Sequence, residues 1–194
     1  MRRRLNRQAV IEAAIAYADE HGLDALTVSA LARHLGMAPP SLYAHVPGGL
    51  RELRAAICVR GLLDIADRCR RAATGRAGAD ALRALAHAQR AYARDHPARY
   101  AATAFGVDHY QDDDVRRAAD EAAAVAADIL ATCAPDGPAR LHAARGIRSA
   151  VQGFCALEAA GVFALAVPAD DSFAWLVDAL VARIVPAAVP GRAG

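Results

Sequence analysis

The sequence predicts an all-α protein, and three observations support this. Apolar residues recur at spacings of three and four over most of the 194-residue chain, as they do on one face of an α-helix. Glycine and proline interrupt this pattern at intervals that suit helix ends. No segment alternates apolar and polar residues between turn signals as a strand does. Together they predict a series of helices joined by loops.

The composition excludes a membrane span and favours a globular protein. Hydrophobic residues make up 55% of the chain and charged residues 23%, which is enough apolar surface to bury a core. No apolar run reaches the ~18 residues of a membrane helix. The basic start MRRRLNRQAV lacks the apolar segment that follows in a secretory signal. We therefore expect a cytoplasmic protein that does not enter a membrane.

Cysteine and histidine spacing predicts neither a metal site nor a cofactor. The four cysteines, Cys58, Cys69, Cys133 and Cys155, lie far apart, with no CxxC pair and no histidine at ligand spacing. Buried, reduced thiols are the expected state. The acidic run at residues 112–114 suits a helix N-terminus, where carboxylates cap free N–H groups and meet the positive end of the helix dipole.

End signals predict the first two helices. Helical spacing of apolar residues runs from about residue 7 to residue 21, where Asn6 can cap the start and Gly22 fits the position just after the end. Thr27 is a good N-cap for a short second helix. Gly36 ends this second helix.

The stretch LGMAPPSLYAHVPGG predicts a very short third helix. Proline is tolerated in the first turn because the N–H groups there have no intrahelical partner. Pro39 and Pro40 can therefore begin a helix that runs to about His45. The PGG sequence at residues 47–49 separates it from a longer helix over residues 50–71.

Further helical segments fill the rest of the chain. Glycine, proline or capping residues separate these segments, and three of them carry a marked apolar stripe: residues 80–96, the segment after the acidic run, and the last helix. The segments are residues 80–96 up to Pro97, the short piece ARYAATAF, a segment from the acidic run to the break at residues 135–138, residues 139–160 up to Gly161, and a last helix capped by Ser172.

The first three helices have the arrangement of a helix-turn-helix. In this motif two short helices joined by a tight turn pack on a preceding helix, and the second presents its N-terminal residues to the DNA major groove. Ser41 and Tyr43 lie near the start of that helix and His45 at its end, and these residue types bond phosphates or base edges. Residues 1–60 also carry eight arginines against five acids, whereas the remainder has a net charge of −1. The sequence therefore predicts that double-stranded DNA is a partner.

The segment VIEAAIAYADEHGLDALTVSALARHLGMAPPSLYAHV resembles the DNA-binding domain of the TetR family of bacterial transcriptional repressors. The shared features are Gly22, Leu26-Thr27, Leu35-Gly36 and Leu42-Tyr43-Ala44-His45-Val46. The resemblance implies an N-terminal three-helix DNA-binding domain and a C-terminal helical domain that binds a ligand and dimerises. It also implies repression that a small molecule relieves.

The same resemblance assigns roles to residues by position. Thr27 is expected to approach a phosphate at the start of the second helix. Pro40, Ser41 and Tyr43 are expected to face DNA, with His45 touching the backbone. Leu42 is expected to fill the core beneath them.

Two basic residues usual in the family are missing from this chain. Ser29 stands after Val28, and the PGG sequence at residues 47–49 replaces the lysine that usually opens the fourth helix. Phosphate contacts are therefore expected from the backbone at Gly49, from the Arg51 side chain, and from an N-terminal arm that contains Arg2, Arg3 and Arg4.

The stretch RSAVQGFCALEAAGVFALAVPADDSFAWLVDAL resembles a subgroup of TetR-like C-terminal domains. That subgroup has a His-Gly, Leu-Glu, Gly-x-Phe and Ser-Phe pattern. Gln152 stands where the histidine would be, so any role of that imidazole is absent here.

The middle helices supply aromatic side chains and a few polar groups, which is the make-up of a small-molecule pocket. The candidate ligand-binding residues are Gln89, Tyr92, His96, Tyr100, Phe105, Tyr110 and Gln152.

The last helix is too apolar for a lone surface helix. Two such helices that pair across a two-fold axis into a four-helix bundle would bury the excess, and a dimer suits an operator with two half-sites. The candidate interface residues are Phe154, Phe173, Leu176, Val177, Leu180, Val181 and Ile184.

We therefore predict a DNA-binding domain over residues 1–46 and an effector-binding, dimerising domain over residues 47–194. A homodimeric repressor released from its operator by a small molecule is the leading hypothesis, and the helix over residues 50–71 is the natural lever between the two parts. Activation by the ligand is also allowed. A small helical enzyme and a ligand-independent DNA-binding protein are the alternatives, although no nucleophile, base and orienting group occur at a recognisable spacing.

Overall fold

The computed structural model describes residues 6–104, 111–164 and 166–185, and all regular structure within those ranges is helical. The predicted all-α class is confirmed. In chain order the helices are α1 (Arg7–His21), α2 (Val28–His34), α3 (Pro39–Tyr43), α4 (Gly49–Ala73), α5 (Gly78–Asp95), α6 (Pro97–Ala102), α7 (Asp113–Ala131), α8 (Pro138–Ala159) and α9 (Ala169–Ile184).

Local hydrogen bonds fix the starts of α1, α2 and α7 as the sequence predicts. The Asn6 side chain accepts from the N–H of Ala9 at 2.8 Å, and the Thr27 hydroxyl accepts from the N–H of Ala30 at 3.0 Å. The Asp112 carboxylate likewise accepts from the first N–H groups of α7. Each bond satisfies a donor that has no partner inside the helix.

The third helix is shorter than predicted. It ends at Tyr43 instead of His45, and the N–H groups of His45 and Val46 share the carbonyl of Leu42, at 2.9 and 3.0 Å, as is common at a helix end. Pro47 follows, and it has no N–H with which to continue the helix.

The last helix begins earlier than predicted. It starts at Ala169, so Ser172 lies within its first turn and does not cap it. Pro168 precedes the helix in an extended conformation. Asp170 and Asp171 place negative charge in the first turn, where the helix dipole favours it.

One compact unit contains the described residues of Met1–Ile65 and Tyr92–Ala122. It holds α1, α2, α3 and α6, with most of α4 and the first half of α7. Its apolar residues with no exposed surface come from α1, α2, α3, α4 and α6 and from the loops between the first four helices. They are Val10, Ala14, Ala18, Leu26, Leu31, Ala32, Leu42, Val46, Leu53, Ile57 and Ala102.

A second compact unit contains the described residues of Ala66–Ala91 and Ala123–Gly194. It holds α8 and α9, most of α5 and the second half of α7. Apolar side chains from all four helices are buried in it, and the larger ones include Leu82, Leu85, Leu130, Ile147, Val151, Phe154, Phe173 and Val177.

The predicted boundary after residue 46 divides the chain by function, whereas the compact units divide it by packing. The boundary therefore stays a prediction. Within the described ranges, no helix combines the length and the apolar character needed to cross a membrane.

Candidate nucleic-acid interface

A tight turn joins α2 to α3. The N–H of Leu35 donates to the carbonyl of Leu31 at 2.9 Å, and the N–H of Met37 donates to that of Ala32 at 2.9 Å. Gly36 between them has a φ of 67°, in the left-handed region that favours glycine. The turn ends α2 abruptly and brings α3 back against it.

The short helix α3 has one buried side and one exposed side. Pro39 and Pro40 occupy its first turn. Leu42 is fully buried, as the sequence predicts. Pro40, Ser41 and Tyr43 are exposed, and 48% of the Tyr43 surface is accessible. The residues predicted to face DNA thus share an accessible surface.

The Tyr43 ring packs against the start of α4 at Gly49. A Cβ added to Gly49 would lie 2.9 Å from Cε1 of Tyr43, and the φ of Gly49 is 58°. The Gly49 N–H donates to the carbonyl of Val46 at 2.9 Å, and the residue is buried. This donor is therefore already engaged within the protein, and the phosphate contact from the Gly49 backbone stays a prediction.

Thr27 combines a capping role with accessibility. Its hydroxyl accepts the N–H of Ala30 at 3.0 Å, and the residue is exposed. A hydroxyl carries one donor besides its lone pairs. Thr27 can therefore cap α2 and donate to a phosphate at the same time.

The first turn of α4 presents an exposed arginine, Arg51. The neighbouring Glu52 is engaged elsewhere: one carboxylate oxygen accepts from the N–H of Gly48 at 3.0 Å and the other from Nε of Arg7 at 2.8 Å. Glu52 therefore does not neutralise Arg51. His45 is half-buried beside this turn. Arg2, Arg3 and Arg4 of the predicted arm lie outside the described residues.

Comparisons with known proteins match both parts of the chain. A family described as "Bacterial regulatory proteins, tetR family" matches residues 10–48, and one described as "Tetracyclin repressor-like, C-terminal domain" matches residues 82–180. The HTH-type transcriptional regulator Rv0681 of Mycobacterium tuberculosis is 38% identical over 159 residues, which cover 82% of this chain and 72% of that protein. The chain belongs to the TetR family of transcriptional regulators.

Two further similarities agree with this membership. The HTH-type transcriptional regulator YobS of Bacillus subtilis is 31% identical over 160 residues, which cover 82% of each chain. The crystal structure of protein SCO4313 has a TM-score of 0.70 at 30% identity and covers 90% of this chain and 94% of that one. TetR-family proteins are DNA-binding transcriptional regulators and not enzymes, so the enzyme alternative is excluded.

The predicted ligand-binding residues of this TetR-family chain are distributed over both units. Tyr92, His96 and Tyr100 belong to the first, where Tyr92 and Tyr100 are buried and the rings of Tyr92 and His96 lie 4.9 Å apart. Gln89 and Gln152 are half-buried residues of the second unit. Phe105 and Tyr110 lie outside the described residues. Neither unit alone brings the set together.

Tyr92 is held as a neutral phenol. Its hydroxyl donates to Oδ2 of Asp64 at 3.1 Å. Burial raises the pKa of Tyr92 well above its usual range, and the nearby Asp64 carboxylate raises it further. Tyr92 therefore acts as a hydrogen-bond donor.

Two clefts within the described residues are lined by residues outside the predicted ligand set. One, of about 500 Å³, lies between α1, α4 and α7 in the first unit. Its floor is apolar and its rim carries charges of both signs; it includes Ile11, Ile15, Val59, Leu63, Glu12, Arg60 and Arg117. The other, of about 620 Å³, lies between α8 and the end of α9 and includes His142, Gly146, Leu180 and Arg183.

Most of the predicted dimer-interface residues point into the protomer. Within the second unit, five of the seven are buried and two are half-buried, because the apolar stripe of α9 packs on α8 and α5. The buried ones are Phe154, Phe173, Val177, Val181 and Ile184, and the half-buried ones are Leu176 and Leu180. The large apolar side chains exposed on these two helices are Leu141, Leu157 and Trp175, and 74% of the Trp175 surface is accessible.

Arg90 is a buried cation that no motif in the sequence singles out. Its Nε and Nη2 donate to the two carboxylate oxygens of Glu158 at 3.0 and 2.6 Å, and Nη2 also lies 2.9 Å from Asp170. The guanidinium carbon is 4.6 Å from the Phe173 ring centre and 5.1 Å from that of Phe154. This cluster ties α5 to α8 and α9.

The cysteines are free thiols. Cys58, Cys69 and Cys155 are buried and Cys133 is half-buried. Burial raises the pKa of Cys69 to about 11, which keeps it protonated at neutral pH. No group of three or more potential metal-ligating side chains occurs within residues 6–104, 111–164 and 166–185.

Proposed function

We propose that this regulator is a homodimeric repressor that binds operator DNA through α3 and leaves it when a small molecule binds. The DNA-binding part of this proposal rests on α3, which has one buried side and one exposed side. Leu42 anchors one side in the core, while Pro40, Ser41 and Tyr43 form the accessible side. A recognition helix needs this combination of a fixed position and exposed N-terminal residues.

The surrounding residues suit contacts with the DNA backbone. Thr27 at the start of α2 and Arg51 at the start of α4 are exposed, and both side chains carry donors that phosphates accept. His45 is half-buried at the end of the turn and contacts the backbone in this proposal. Ser41 and Tyr43 lie on the accessible side of α3, and in this proposal they reach base edges or phosphates.

A second copy of the chain binds through the exposed apolar faces of α8 and α9 in this proposal. Leu157 and Trp175 are exposed on these helices, beside the half-buried Leu176. A Cβ added to Gly146 or Gly153 would meet nothing within 4 Å, so a partner helix can approach α8 closely. A dimer with two recognition helices about 34 to 36 Å apart reads two half-sites one DNA turn apart.

Release by a small molecule rests on family membership and on the buried aromatic side chains of Tyr92 and Tyr100. A ligand shifts the population only by its different affinity for the DNA-binding and released states. A thermal-shift screen of small molecules, followed by operator-binding assays with each hit, tests this part. If no hit changes operator affinity, the ligand-independent DNA-binding protein is favoured.

We place the protein in the cytoplasm, where its operator is accessible.

The test of the DNA-binding surface is Tyr43→Ala, with Tyr43→Phe as the matched variant. The operator is first selected from a random duplex library with the full-length protein, and affinity is then measured by fluorescence anisotropy. We expect Tyr43→Ala to weaken binding about tenfold or more, since ring and hydroxyl are both lost. Tyr43→Phe keeps the ring packed on Gly49 and should lose less operator affinity than Tyr43→Ala. Unchanged affinity in Tyr43→Ala would place the DNA contact elsewhere.

A further inference from the structure

One arginine joins three helices of the first unit. Arg99 in α6 donates from Nε to Oδ2 of Asp19 at 2.9 Å and from Nη2 to the same oxygen at 2.5 Å. Its Nη1 donates to Oδ2 of Asp64 at 3.1 Å. Asp19 belongs to α1 and Asp64 to α4. The guanidinium therefore sets the distance between α6 and both of the other helices.

This cluster is less solvated than the other ion pairs of α1. The Arg99 side chain is 18% exposed, with Asp19 at 26% and Asp64 at 33%. By contrast, the pair between Arg60 and Glu12, which also joins α4 to α1, is 40% and 43% exposed. Charge-assisted hydrogen bonds are stronger where water is partly excluded. Arg7 and Glu52 form a further pair between α1 and α4, in which the Arg7 side chain is 59% exposed. Of these connections, the Arg99 cluster is expected to hold α1 most firmly.

Backbone packing keeps α6 close to α4 at the same place. A Cβ added to Gly61 of α4 would lie 2.7 Å from the carbonyl oxygen of Arg99 and 2.9 Å from Cγ2 of Thr103. With α6 held this closely on α4, a shift of α1 relative to α4 must stretch the bonds between Arg99 and Asp19.

The Asp19 end of α1 also contacts α2 of the helix-turn-helix. The Tyr17 ring lies 4.3 Å from the His21 ring and 5.3 Å from the His34 ring, between ring centres. His34 is the last residue of α2. A change in the position of Asp19 is therefore passed to α2, and α2 carries α3.

We propose that Arg99 is a positioning residue for operator binding: it fixes α1, and with it α2 and α3, against α4 and α6 without touching DNA. The proposal rests on the DNA-binding function proposed above. Preorganised recognition elements lose less freedom on binding, so opening the Arg99–Asp19 contact lowers operator affinity. The Tyr92 hydroxyl and Nη1 of Arg99 donate to the same oxygen, Oδ2 of Asp64. A change in the position of Tyr92 therefore also affects how Arg99 is held.

The experiment compares two neutral, isosteric substitutions on α1 in the full-length protein. Asp19→Asn removes the Arg99 partner, and Glu12→Gln removes the Arg60 partner of the same helix. Operator affinity is measured at several salt concentrations, at a temperature where far-UV circular dichroism shows both variants folded. We expect Asp19→Asn to bind about fivefold or more weakly, and Glu12→Gln to bind like the wild type. The salt slope should stay unchanged in both, because no phosphate contact is lost.

Arg99→Lys keeps the positive charge, but it loses the fork geometry of the guanidinium. This variant serves if Asp19→Asn does not fold, and we expect its affinity to lie between those of the wild type and Asp19→Asn. A residue with a merely structural role would lower the melting temperature without changing the affinity of the folded protein. Wild-type affinity in Asp19→Asn or Arg99→Lys, or an equal loss in Glu12→Gln, would overturn the proposal. If the wild type selects no duplex at all, the proposed DNA-binding function fails instead.

Discussion

At the residue scale, the position of Tyr43 depends on the absence of a side chain at Gly49. The ring occupies the space that a Cβ there would need. Since almost half of the Tyr43 surface is accessible, the ring can swing towards solvent when displaced. A larger residue at position 49 therefore disturbs the DNA-facing surface more than the fold.

We expect Gly49→Ala to lose both stability and operator affinity, and Gly75→Ala to lose stability alone. Both glycines have a positive φ, 58° and 75°, which costs alanine about 1 kcal/mol. Only the Cβ at Gly49 meets the Tyr43 ring, whereas that at Gly75 meets nothing within 4 Å. Urea unfolding should show a similar loss of unfolding free energy in the two variants. Fluorescence anisotropy should show roughly fivefold weaker operator binding, about 1 kcal/mol, for Gly49→Ala only. Equal operator affinities of Gly49→Ala and Gly75→Ala would show that the position of the Tyr43 ring does not affect DNA binding.

Local rules predicted the residues whose roles depend on near neighbours. Asn6 and Thr27 accept hydrogen bonds from N–H groups three residues ahead, so the sequence alone was enough to identify them as caps. Arg99 and Asp19 lie 80 positions apart. With 23 basic residues and 21 acidic ones in the chain, nothing in the sequence singles out that pair.

At the element scale, an apolar stripe on a helix predicts that this face is buried. It does not predict whether the face packs within the protomer or against a second copy. The sequence predicts the apolar stripe of α9, yet Phe173, Val177 and Val181 are buried within the protomer and not at a surface between two copies. The start of α9 shows the same limit. Ser172 fits the local capping rule, but the helix begins at Ala169, where Asp170 can reach the buried Arg90.

The contact between Arg90 and Glu158 should hold α5 and α8 together. Glu158→Gln leaves a buried guanidinium without its bidentate carboxylate, and we expect a loss of roughly 2 to 4 kcal/mol in the free energy of unfolding. The matched control is Asp178→Asn, which breaks the solvent-exposed pair between Arg83 and Asp178 and should change stability little. Urea unfolding of both variants measures the difference. Similar midpoints would show that burial adds nothing to the Arg90 contact.

At the scale of the whole molecule, the proposed dimer must cover the apolar side chains that the protomer leaves exposed. Trp175 is the only tryptophan in the chain, so intrinsic fluorescence reports on one site of the proposed interface. In a protomer its indole would be accessible to iodide and would emit at long wavelength. Pairing through α8 and α9 should shield it.

We expect Leu157→Glu to convert the dimer to a monomer, because it buries an unpaired charge in the proposed interface. Sedimentation velocity should give the 20.3 kDa protomer mass, and Trp175 emission should shift to longer wavelength with stronger iodide quenching. Operator affinity should fall steeply, since a monomer reads only one half-site. Leu63→Glu, at another exposed leucine, on α4, should leave the mass unchanged. A Leu157→Glu protein that remains dimeric with shielded Trp175 would assign the two-fold contact to another surface.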